Sequence, residues 1–236
     1  SATQGQVVPA VAVWTVNVPA GLAGQTQVLG VSYKAKTSAA GTVSGWNLVR
    51  NVGHSSGPGA LAVYVRKLGA DAAASTVTVP FGGATQGAYI CRTVSGDYVR
   101  ATPTMDLEGG ASVSHSAITV TKAATALLEI WASGEWPRVF TTTDASVTAV
   151  HQSGFSGPGL TFGTRVVNAG AVAGATFIAD DPGLGGVDTT YTGTDDWTTL
   201  LGFAMLFETS EVAPEGPPPG YTGATDQLFV AASSVP

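Results

Sequence analysis

Apolar and polar positions alternate along most of this chain in short runs, and glycine or proline interrupts them. Such period-two alternation, rich in Val, Thr and aromatic residues, predicts half-buried β-strands. Val11 to Val18 opens the series, and Pro19-Ala20-Gly21 turns it. Gln27 to Lys36, Trp46 to Arg50, Ala60 to Leu68, Ser75 to Val79 and Ala88 to Val94 continue it. Ala117 to Thr121, Ala126 to Ala132, Val147 to His151, Thr164 to Asn168, Ala175 to Ala179 and Thr199 to Glu208 complete it. Helical periodicity with caps is missing; Asp71 to Ser75 could form one turn at most. About a dozen strands of this kind predict an all-β fold, an antiparallel β-sandwich of jelly-roll type.

A weak echo runs through the pattern. His54-Ser55-Ser56-Gly57-Pro58-Gly59 is similar to the stretch from His151 through Ser156-Gly157-Pro158-Gly159. Each precedes a β run carrying an arginine, Arg66 or Arg165. Two related halves closing one sandwich would produce this, and so would chance in a chain rich in Gly, Ser and Ala.

Segmentation follows composition. Residues 1–10 read as an N-terminal arm and 11–210 as the sandwich. Residues 211–220 are a Pro/Gly-rich spacer that cannot continue a sheet, and 221–236 form a C-terminal arm or docking strand. The spacer's Pro217, Pro218 and Pro219 would carry Leu228, Phe229 and Val230 away from the body, where they could add a strand to a neighbouring subunit. The competing reading is a tail that folds back on its own domain.

Composition changes the picture in one respect. Hydrophobic residues make up 44% of the 236 and charged residues only 11%, under half the usual share. So neutral a surface suits a chain packed against neighbours. Residues 1 to 165 hold all ten Lys and Arg with seven acids, whereas 166 to 236 hold nine acids and no base. This argues against a nucleic-acid groove, and it allows an acidic end to meet a basic neighbour or simply to be solvated. No secretory signal and no membrane-length apolar run are visible, so the expectation is a soluble protein made in a cytoplasm.

Candidate chemistry is sparse. The lone Cys91 cannot form an intrachain disulfide and is expected to pack as a small apolar group. His54, His115 and His151 stand far apart in Gly/Ser surroundings and read as exposed loop residues. Asp106 and Glu108, or Glu129 with Glu135, could be cast as paired glycosidase acids, but such pairs arise easily by chance. No nucleophile elbow, phosphate loop, zinc-protease or dinucleotide motif is present. Catalytic and cofactor-binding residues are therefore expected to be absent. Asp180, Asp181, Asp188, Asp195 and Asp196 form an acidic, Gly- and Thr-rich stretch able to offer oxygen ligands to calcium, although its spacing fits no known calcium loop. Trp136 and Arg138, in a turn-like Gly-Glu-Trp-Pro-Arg context, are candidates for contact with a glycan or a neighbouring subunit.

One resemblance concerns most of residues 12 to 208. Trp14-Thr15-Val16 with Val18-Pro19-Ala20-Gly21, the Gly45-Trp46-Asn47-Leu48-Val49-Arg50 motif and the strand Ala60 to Lys67 resemble a β-sandwich domain of virion surface and minor tail proteins of tailed bacteriophages. Phe155, Gly157-Pro158, Arg165-Val166-Val167, Ala169-Gly170-Ala171 and Trp197 resemble its later part. The resemblance implies a structural virion protein without an active site: capsid decoration or head fibre, or a minor tail protein. Its partners would be major capsid or tail proteins and further copies of itself, as a homo-oligomer. Trp46, Arg50, Tyr64 and Arg66 would then chiefly shape the fold. The alternative is a lectin-like module contacting host surface glycans through Trp136 and calcium.

Overall fold

The computed structural model describes residues 1–34, 39–53, 59–108, 112–123, 125–133, 139–154, 157–180 and 199–208. All regular structure among them is β, and every strand pairing is antiparallel. The strands are β1 (Ala2–Val18), β2 (Gln25–Tyr33), β3 (Asn47–Gly53), β4 (Ala60–Lys67), β5 (Ser75–Ser95), β6 (Asp97–Ala101), β7 (Met105–Glu108) and β8 (Ser112–Val113). They continue with β9 (Ile118–Val120), β10 (Thr125–Ser133), β11 (Val139–Thr141), β12 (Thr148–Gly154), β13 (Gly157–Val167), β14 (Gly170–Val172), β15 (Phe177–Asp180) and β16 (Thr199–Glu208).

Two large sheets dominate. The first has the order β1-β5-β2-β4-β3 and the second β6-β16-β10-β13-β12, with β7 also on β16. These are one topology used twice: an opening strand, a second strand, an edge hairpin, and a closing strand inserted between the first two. The hairpins β3–β4 and β12–β13 carry the repeated His/Ser/Gly/Pro segments, so the echo in the sequence marks corresponding places. Register agrees. Val28 on β2 stands between Val65 and Arg92, as Leu128 on β10 stands between Thr164 and Met205.

The sheets also pack through corresponding faces. Val28, Leu61, Val63, Ala88, Ile90 and Val94 of the first meet Leu128, Leu160, Phe162, Leu201, Phe203 and Phe207 of the second in one buried apolar cluster. This is sandwich packing, with side chains of alternate positions meeting between two sheets. Gly30 admits the Phe162 ring, since a Cβ there would lie 2.6 Å from Phe162 Cζ. Arg50 bridges the layers, donating from Nη2 to the Thr102 carbonyl (2.9 Å) with its guanidinium 5.4 Å from the Phe203 ring centre.

The outer faces are covered differently. In the first half, β1 and β5 shift register between Val7 and Val13, and the far part of the ribbon folds back over its own sheet. Thr3 Oγ1 donates to the Asn17 carbonyl at 2.5 Å, although the two would lie about 45 Å apart on a straight strand. Trp14, Val16, Val18, Val79 and Phe81 thereby join Leu29, Val31, Tyr33, Ala62, Tyr64 and Cys91 in a second core. In the second half, the cover is two small sheets, β11-β15-β8 and β14-β9.

Several boundaries differ from the sequence reading. Residues 2–7, read as part of an arm, pair with β5. Ser75 to Val79 and Ala88 to Val94 belong to one 21-residue strand that bends at its register shift. Asp71 to Ser75 forms no helical turn; Ala72 makes an isolated bridge to Gly21. The C-terminal spacer and arm, residues 211–236, lie outside the described residues.

Candidate functional site

Most chemistry-bearing positions singled out from the sequence lie outside the described residues: His54, Glu135, Trp136, Arg138, Asp181, Asp188, Asp195, Asp196, Trp197, Pro217, Pro218, Pro219, Leu228, Phe229 and Val230. Asp180 closes β15, and His151 lies in β12. Among the described residues no group of three or more His, Cys, Asp or Glu converges to hold a metal ion. Nor does any helix there have the length and apolarity to cross a membrane. Cys91 is fully buried between β1 and β2, and burial pushes its thiol up to about 12 against a smaller opposing effect of Arg66. Such a thiol is a packing group, since the thiolate is the reactive form.

The polar groups that do converge are on the outer face of the second sheet. From Ala126 to Ala132, β10 is apolar on both faces except at Glu129, which is completely buried between two apolar patches. On one side Trp131 packs with Ala175 and Phe177; on the other Leu127 packs with Ile118, Val120 and Leu206. Room for this layer comes from absent side chains: a Cβ on Gly202 would lie 2.0 Å from Trp131 Cε3, and one on Gly163 would lie 2.5 Å from Phe177 Cζ.

Glu129 Oε1 accepts three hydrogen bonds. Arg165 Nη2 donates at 3.0 Å, the Ala175 amide at 2.9 Å, and His115 Nε2 lies at 2.8 Å. Arg165 also donates to the Ala173 carbonyl and, from Nη1, reaches Asp144 Oδ2 at 3.5 Å. Asp144 is held below the ordinary carboxylate range, first by hydrogen bonds from the Ser146 hydroxyl and amide and less by the Arg165 charge. His115 is buried, not exposed as its loop context suggested. Its Nδ1 lies 2.6 Å from the Ser116 carbonyl, and Gly174 packs so closely that a Cβ there would lie 2.8 Å from the His115 backbone.

Three outer connections are thus tied, directly or through Arg165, to one carboxylate: 114–117 by His115, 173–175 by the Ala175 amide and the Ala173 carbonyl, and 142–147 by Asp144. Burying such charges is costly unless each finds a partner, so their arrangement makes this layer specific in its seating. Among the described residues, the acid at the centre of the cluster, Glu129, is fully buried. In the sequence Glu129 reads with Glu135 as one of two possible glycosidase acids; the lone charge inside Ala126-Leu127-Leu128-Glu129-Ile130-Trp131 is the signal that it is buried and partnered.

The arginine at the corresponding place in the first sheet has a neutral acceptor, Gln27, instead of a carboxylate. Arg66 occupies on β4 the position that Arg165 occupies on β13. Its Nε and Nη2 donate to Gln27 Oε1 at 3.1 and 2.5 Å, and its guanidinium lies 4.7 Å from the Trp46 ring centre. Gln27 Nε2 donates to the Pro19 carbonyl at 2.6 Å. The motif residues Trp46, Arg50, Tyr64 and Arg66 therefore sit among structural contacts, Tyr64 donating from its hydroxyl to the Gly41 carbonyl at 2.8 Å.

The chain matches no family model, no curated protein and no solved structure.

Proposed function

We propose that this chain is a non-enzymatic structural protein of a tailed-bacteriophage particle, exposed on its surface as capsid decoration or head fibre, with a minor tail protein as the second placement. The observation that carries the reading is how the convergent charges are used. Glu129, His115, Arg165 and Asp144 fasten one layer of sheets to another instead of lining an approach for substrate. A stacked β body with few charges suits a rigid module that works through packing. Edge strands β3 and β12 pair on one side only among the described residues, and each could accept a strand from a neighbour. The neighbours envisaged are major capsid or tail proteins and further copies of the chain.

The test is to purify particles of the phage whose genome encodes the chain and to locate it by antibody labelling and particle reconstruction. Regular copies on the outer surface are expected. Absence from intact particles would refute the proposal. Deleting residues 212–236 should prevent incorporation if the C-terminal segment makes the assembly contact. A glycan array, run with and without chelator, should show no specific calcium-dependent binding; such binding would favour the lectin-like alternative.

A further inference from the structure

Of the two hairpin edges, β12 packs beside β1 and β5 of the first sheet, whereas β3 pairs only with β4 among the described residues. β3 holds no Lys and no Pro, the residues that commonly blunt an exposed edge. Its one blunting feature is the register shift between Leu48 and Arg50; beyond it, residues 50–53 keep a regular ladder with β4. Alternate amides and carbonyls of that stretch therefore point away from β4. Asn47, Leu48, Asn51 and Gly53 are exposed, Leu48 by 44%. A cation marks the same rim. Arg50 Nη2 donates to the Thr102 carbonyl at 2.9 Å and its guanidinium faces Phe203, but Nε is buried without a hydrogen-bond partner. Among the described residues no carboxylate meets this group, and a charge-assisted pair is about twice as strong as a neutral one.

Charge and reach select the occupant. Residues 209–236 carry Glu211, Glu215 and Asp226 and no base, and Asp226 stands two positions before the apolar run Leu228-Phe229-Val230-Ala231. The chain leaves the second sheet at Glu208, opposite Asp97, whose Oδ1 lies 2.5 Å from Lys67 Nζ. Lys67 closes β4 at the end where β3 begins. From there the spacer 211–220, extended at about 3.1 Å per residue, reaches roughly 30 Å. Laid straight back along its own β3, the apolar run would pair parallel, whereas every pairing among the described strands is antiparallel. From a neighbouring copy it can enter antiparallel. We infer that the β3 edge, with Arg50, is the receptor for the C-terminal segment of a second copy of this chain. Residues 227–231 add a strand to the edge, and Asp226 meets the guanidinium. This names the self-contact of the homo-oligomer in the proposed function and rests on that reading.

The experiment uses the full chain in solution. Coexpressed Leu48→Cys and Leu228→Cys chains should oxidise to a disulfide-linked heterodimer, with Phe229→Cys probing the neighbouring register. Amide exchange at β3 should be about tenfold slower in the wild type than in Phe229→Pro, which cannot complete the added ladder, while β2 keeps its protection in both. Asp226→Asn should weaken self-association about tenfold. A wild-type chain that stays monomeric, with β3 exchange unchanged by Phe229→Pro, would overturn the inference. So would an internal disulfide at monomer mass in the Leu48→Cys/Leu228→Cys double variant, which assigns the segment to its own β3. Should the cysteine variants not fold, the exchange comparison decides alone, since it leaves the sandwich unaltered. Absence from particles would sink the proposed function, whereas a monomer found on particles would sink this inference only.

Discussion

The two halves share strand order, register and packing face, yet they protect their outer surfaces by opposite means. The first folds its own β1–β5 ribbon over itself and closes on Trp14, Tyr33, Phe81 and their neighbours. Trp14 and Tyr33 lie 4.7 and 5.0 Å from Phe81, centre to centre, which adds about 0.5–1.5 kcal/mol per pair to simple burial. The second recruits separate short strands, too small to hold by apolar area alone, and adds a buried charge cluster. Contiguous cover can rely on nonspecific burial; a cover built from separate pieces needs directional bonds to fix its position.

Removing the acceptor in each half tests this most severely. Glu129→Ala leaves His115 and Arg165 buried without their carboxylate and is expected to cost about 3–5 kcal/mol. Gln27→Ala leaves the Arg66 side chain its Trp46 face and should cost about 1–3 kcal/mol. Urea unfolding of both variants measures the gap, and equal losses would dissolve the distinction between the halves. Next come the glycines that make room for rings. Gly202→Ala, against the Trp131 ring, and Gly30→Ala, against Phe162, each force overpacking of about 1–3 kcal/mol. Gly202→Ala should also shift the Trp131 fluorescence, whereas Gly30→Ala should leave it unchanged.

How much of this was legible in the sequence depended on length and burial. Thr199 to Glu208 was bounded correctly because the run from Leu200 to Phe207 is apolar on both faces and its one glycine, Gly202, stands between apolar residues. The bent β5 read as two strands because Pro80 to Gly87 looks like a linker, and only its cross-strand partners reveal continuity. Strands β6, β7, β8, β11 and β14 were missed because two to five residues cannot display a period. The repeated His/Ser/Gly/Pro segments hinted at two halves, but the shared order of strands is a property of pairing, which one chain's sequence does not display. His115 was misread for a similar reason: the groups that bury it, Glu129 and Gly174, lie 14 and 59 positions away.

Titration separates the halves a third way. Burial raises the Cys91 thiol from 9.0 to about 12 and also raises the Tyr33 and Tyr64 hydroxyls, all in the first half. A folded value above the unfolded one means that stability is whole below 9.0 and is lost as pH climbs from there toward 12. Between pH 9 and pH 10 the Cys91 contribution should decline by about 1 kcal/mol, and Cys91→Val should flatten the slope of denaturation midpoint against pH. An unchanged slope would assign alkaline weakness to the tyrosines instead.

The smallest effect falls at the acid end, in the second half. Asp144 is held below the ordinary carboxylate range chiefly by Ser146, so its stabilisation is present above the unfolded value and disappears as pH drops through the lower folded one. Because Asp144 is substantially exposed and meets Arg165 only at 3.5 Å, solvent screens most of that term. Asp144→Asn should therefore leave stability near neutrality almost unchanged and slightly flatten its fall in acid. A large loss at neutral pH would mean that the β11–β12 turn, rather than Glu129, positions Arg165, and the hierarchy within the charge cluster would have to be reversed.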